Sequence, residues 1–106
     1  MTQDSILNEL DAAIEAFTVP LRMGDGFDES KFQELCSVMR ECNELWTDLD
    51  YIPKRAAVEL FGLSFAIEAC SYLYDEDTAK RVKYAASKVS NLTLSIVSDS
   101  RNLPNE

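Results

Sequence analysis

Between Pro53 and Tyr74 the only charged residues are Lys54, Arg55, Glu59 and Glu68, and no other stretch of the chain restricts the possible folds as strongly. Wound at about 100° per residue, this segment gathers Ser64, Glu68 and Ser71 into one narrow wedge. Leu60, Phe61, Leu63, Phe65, Ile67, Tyr72, Leu73 and Tyr74 are spread around the rest. A helix apolar over most of its circumference is either the centre of a bundle or a membrane span. Glu59 and Glu68 interrupt this one before it reaches the roughly 18 continuous apolar residues of a span, so the bundle core is the expectation and a membrane is not. Gly62, Ala66 and Ala69 lie close together on the apolar arc, where missing side chains would let a neighbouring helix approach. Each buried phenylalanine would contribute roughly 1.5 to 3 kcal/mol. Pro53 suits the first helical position, where its absent N–H costs nothing. The resulting expectation is a central helix over about 53–74, open to water along a thin strip only.

The 106 residues are enough for one domain with a real core and too few for two ordinary ones. We expect a single helical domain over 1–98 and a flexible tail over 99–106, where Pro104 stands near the end. Met1 to Leu10 includes Asp4 and Glu9 and has no basic segment leading into an apolar run, which predicts a cytoplasmic chain rather than a secreted one. Cys36, Cys42 and Cys70 are an odd number and fit reduced, packed thiols better than a disulfide framework.

The formal charge of −9 is unevenly placed. Residues 1–50 hold twelve acids against Arg22, Lys31 and Arg40, and residues 51–106 hold seven of each sign, so the first half carries all of it. Such a field repels phosphates and draws a basic partner from a distance, although acidity also serves solubility alone.

In chain order, Ile6, Leu7, Leu10, Ala13, Ile14 and Phe17 predict a helix over about Ser5 to Phe17, capped by Asp4 or Ser5. Thr18 to Phe27, with Pro20, Gly24 and Gly26, reads as the longest internal loop and matches neither a phosphate loop nor a calcium loop. A second helix starts after Asp28, with Phe27 stapled onto Phe32. It buries Phe32, Leu35, Cys36, Met39, Cys42 and Trp46, and sets Asn43 in the middle of that face with an interior hydrogen bond. Asp75 to Thr78 closes the central helix and caps a last one running to Val97, which buries Val82, Ala85, Ala86, Val89, Leu92 and Ile96. Nothing alternates like a strand. The fold class is therefore all-α, a four-helix bundle built around the apolar segment.

The chain contains no histidine. Histidine phosphotransfer, Ser/His/Asp or Cys/His catalysis and the Glu-x-x-His ligands of di-iron bundles are all excluded. Cys36 and Cys42 point roughly 120° apart on their helix, a poor start for a metal site, and neither metal nor cofactor is expected. Glu59 reads either as an early-turn acid reaching solvent or as a buried functional carboxylate. Lys80, Arg81, Lys83 and Lys88 lie outside the buried stripe of the last helix, yet the charge balance argues against nucleic acid. Asn91-Leu92-Thr93 matches the glycosylation pattern but falls within a helix.

Opposite the buried face of the second helix, Glu34, Glu41, Glu44 and Asp48 fall in one sector, followed by Asp50 and Tyr51 in the next turn. This is either the wet side of a helix or a face on which carboxylates steer a basic partner and an aromatic ring anchors it. The stretch Asp48-Leu49-Asp50-Tyr51-Ile52-Pro53 resembles the Asp-Leu-x-Tyr-Tyr-Pro of the colicin nuclease immunity proteins, with four of its six residues matching. These are small acidic four-helix proteins that bind and block a basic toxin nuclease. Their inhibitory surface, an acidic second helix and the tyrosines after it, would correspond to Glu34, Glu41, Glu44, Asp48 and Tyr51. Ile52 stands where that family has its second tyrosine, and the helix that is very short in the family corresponds to the long segment after Pro53.

The expectation is a non-enzymatic inhibitor or immunity-type protein whose partner-binding residues are Glu34, Glu41, Glu44, Asp48, Asp50 and Tyr51. The alternatives are a helical export chaperone or adaptor with an apolar groove, and a homodimer that buries surplus apolar surface of the central segment.

Overall fold

A computed structural model describes residues 3–98, and the expected tail over 99–106 lies outside the described residues. The chain is an all-α bundle. Its elements are α1 (Gln3–Arg22), α2 (Glu29–Trp46), α3 (Lys54–Leu60), α4 (Leu63–Ala69), a 3-10 turn (Cys70–Leu73) and α5 (Glu76–Val97). Neighbours around the bundle run α1, α2, α5, α4, with α3 against α1. Consequently α2 and the α3–α4 arm stand on opposite sides of the core, separated by α1 and α5.

α2 follows its sequence. Asp28 accepts a hydrogen bond from the Lys31 N–H at 3.1 Å, which satisfies one of the free donors of the first turn. Phe27 packs tilted against Phe32 at 5.8 Å and edge-on to Phe17 at 5.4 Å, and the Arg81 guanidinium sits 4.6 Å over the Phe27 ring while pairing with Glu29 at 3.7 Å. The start of α5 is thereby tied to the α1–α2 loop. α5 is capped by Asp75, which accepts from the Thr78 N–H at 2.8 Å. Asn43 is only half-buried, not central as expected, and so requires no interior partner.

α1 runs one turn beyond its expected end and includes Pro20. A proline there removes a single hydrogen bond near a helix end, and the added turn brings Leu21 to complete burial. The expected loop over 18–27 therefore contracts to 23–28. Tyr74 holds it: its hydroxyl donates to the Leu21 carbonyl at 2.7 Å and accepts from the Gly26 N–H at 3.1 Å.

The segment after Pro53 is helical but is not one continuous rod. Phe61 (φ −65°, ψ 121°) and Gly62 (φ 76°, ψ 0°) have the backbone angles of the central pair of a type II turn, which requires a positive φ at its second position. Gly62 supplies that conformation; it does not open space for a neighbouring helix. One flank alone is covered, through Ala56, Leu60, Leu63, Ile67 and Cys70. Within the wedge Ser64 and Ser71 are half-buried and Glu68 is exposed, while Ala66 and Ala69 are exposed as well. The solvent side of the arm carries Val58, Phe61, Phe65 and Tyr72, at 77, 89, 78 and 82 % exposure. The expected thin polar strip is thus a broad apolar one, because α1 and α5 together reach only the inner flank of an apolar arc this wide.

Candidate partner-binding faces

Two faces stand out. The first is the outer side of α2. Phe32, Leu35, Met39, Cys42 and Trp46 lock the helix onto α1 and α5, which leaves Glu34 and Glu44 exposed and Glu41 half-buried on the far side. Asp48, Asp50 and Tyr51 continue this face into the following turn, all exposed, with Tyr51 at 71 %. Five of the six expected residues are therefore exposed and Glu41 is half-buried. Among the described residues the ion pairs join Arg55 to Asp11, Lys80 to Glu76 and Arg81 to Glu29, and none engages Glu34, Glu41 or Glu44.

Beneath this face the Cys42 thiol is pushed up to about 11, first by burial and then by the carboxylates of Glu41 and Glu9. Glu9 of α1 thus acts on the same thiol from the neighbouring helix. Beside Tyr51 a cleft of about 230 Å³ opens between the turn and the end of α5, lined by Trp46, Leu49, Ile52, Ile96 and Val97 among others. A partner side chain could enter there.

The second face is the ridge of Val58, Phe61, Phe65 and Tyr72. Phe65 forms one wall of a groove of about 350 Å³ between α4 and α5, whose other lining groups include Ser64, Glu68, Lys83, Ser87 and Asn91. By length and composition Lys54–Leu73 would suffice to cross a membrane, but the turn at Phe61 and Gly62 divides it and Glu59 and Glu68 charge it. The sequence signal for this ridge was the excess of apolar residues over what three neighbours can cover.

Glu59 faces α1. Its carboxyl is raised by burial, then by a hydrogen bond with Asp11 and by the charges of Asp11 and Glu15, with Arg55 opposing. Arg55 clamps the same spot, donating to Asn8 Oδ1 at 3.0 Å and pairing with Asp11 at 3.7 Å. The arrangement fastens α3 to α1. Cys36, Cys42 and Cys70 are buried and free, and burial raises each thiol, which disfavours the thiolate form. Among the described residues no group of three or more Cys, Asp or Glu is placed to hold a metal ion.

Comparison with protein families, with curated proteins and with solved structures finds no match.

Proposed function

We propose that this chain is a non-enzymatic, acidic inhibitor of the immunity type, which binds and neutralises a basic protein partner through α2 and the turn after it. The observation that carries the reading is the set of carboxylates Glu34, Glu41 and Glu44, unpaired among the described residues, on a helix whose other face is buried in the core. Fixed like charges on one side of a small protein accelerate encounter with an opposite charge. An exposed aromatic at their end, Tyr51, is the residue type that anchors a docked complex. The resemblance of Asp48 to Pro53 to the colicin nuclease immunity proteins supports a toxin domain as the partner class. The seven-residue α3 after Pro53 lies nearer to that family's short helix than one continuous helix would.

An export chaperone is less well supported, since the clefts flanking α5 are lined by Ser64, Ser87, Lys88, Ser90, Asn91 and Ser95 as well as by rings. An apolar groove for an extended segment would need fewer polar groups. The test is binding kinetics with the isolated partner. E41K/E44K should slow association at least tenfold and flatten its salt dependence, and Tyr51→Ala should speed dissociation. Unchanged association and unchanged salt dependence in E41K/E44K would sink the assignment.

A further inference from the structure

We infer that the ridge of Val58, Phe61, Phe65 and Tyr72 is a self-association surface whose occupant is a second copy of this chain, related by a two-fold axis. This lies beyond the partner binding proposed for α2 and does not depend on it. Each of the four side chains is more than three-quarters exposed. Three aromatic rings of that exposure offer roughly 350 to 600 Å². With Val58 and the walls of the adjoining groove, that approaches the roughly 800 Å² per partner of a standard interface. Monomers rarely leave apolar patches of more than a few hundred Å² open.

Charge selects among occupants. From Pro53 to Ser98 the chain holds six bases and five acids, whereas residues 3–50 hold three bases and twelve acids. The ridge belongs to the near-neutral part, so it offers a basic protein no electrostatic attraction, and the whole molecule at −9 is repelled by an anionic lipid surface. A second copy carries the same −9, yet two near-neutral ridges can join while both α2 helices, on the far side of each bundle, point away from the contact.

The groove beside the ridge is also self-complementary. Glu68 from α4 and Lys83 from α5 line it together with Phe65, and neither belongs to an ion pair among the described residues. A two-fold axis near Phe65 sets Glu68 of one copy against Lys83 of the other twice over, since in such an interface residue i meets j and j meets i.

Analytical ultracentrifugation of the full chain from micromolar to hundreds of micromolar tests this. The wild type should pass from monomer to dimer, and F61S/F65S should remain monomeric with an unchanged helical circular dichroism spectrum, its dissociation constant raised at least about a hundredfold. Glu68→Lys and Lys83→Glu alone should each weaken the dimer by about threefold to tenfold, and E68K/K83E should restore it. A wild type that stays monomeric throughout, a dimer that survives F61S/F65S, or a double charge exchange no better than the single ones would overturn the proposal. So would a monomer that cosediments with phosphatidylcholine vesicles through Phe61 and Phe65, because the ridge would then serve a lipid surface.

Discussion

Gly62 determines how the apolar arm is built, and the sign of one substitution reveals it. In a continuous helix Gly62→Ala would stabilise the chain by about 1 kcal/mol. At φ 76°, with open space around the position, alanine gains nothing sterically and meets the left-handed backbone penalty. G62A should therefore lower stability by about 1 to 2 kcal/mol, read as a lower urea midpoint. Tyr74 is the second such residue. Losing its hydroxyl in Tyr74→Phe leaves the Gly26 N–H and the Leu21 carbonyl without their partner and should cost about 1 to 2 kcal/mol. Neither role could be read from helical spacing, because both depend on a turn and on a contact across about fifty residues of chain. Glu59 is legible in kind but not in setting: its place on the arc was evident, whereas Asp11 and Glu15 beneath it come from another helix. Its folded carboxyl lies above the ordinary value of 4.5. Stability from this group is thus fully present below pH 4.5 and lost as pH rises through the folded value. Glu59→Gln should raise the urea midpoint at pH 7 and leave it nearly unchanged at acid pH.

At the level of elements, α2 and α5 were legible because local rules and tertiary packing agree in them. Asp28 and Asp75 occupy cap positions, and the apolar faces are unambiguous. Asp28→Ala should cost about 1 kcal/mol, measured by thermal unfolding, since the Phe27–Phe32 contact continues to direct chain entry. α1 departs from its reading because burial of Leu21 outweighs the single hydrogen bond lost at Pro20. The α3–α4 arm departs for a different reason. Spacing tells which residues share a face, but it does not tell how much of an apolar circumference the neighbouring helices will reach.

For the whole molecule these elements give a body with two unlike sides. α2 presents carboxylates joined to Tyr51, the opposite arm presents aromatic rings, and the order of helices around the core keeps them apart. The acidic side was visible in the sequence as a sector of one helix and a charge imbalance between halves. The aromatic side was visible only as an excess, with its orientation hidden. If the two sides serve two kinds of contact, they should fail independently.

Capture from a cell lysate by three immobilised forms, wild type, E41K/E44K and F61S/F65S, measures this most directly, with retained proteins identified by mass spectrometry at low and high salt. A basic protein held by wild type and by F61S/F65S, released by salt and absent from E41K/E44K, is the predicted result. Retention of the same protein by E41K/E44K at high salt, with loss in F61S/F65S, would contradict the account and move partner recognition to the ridge.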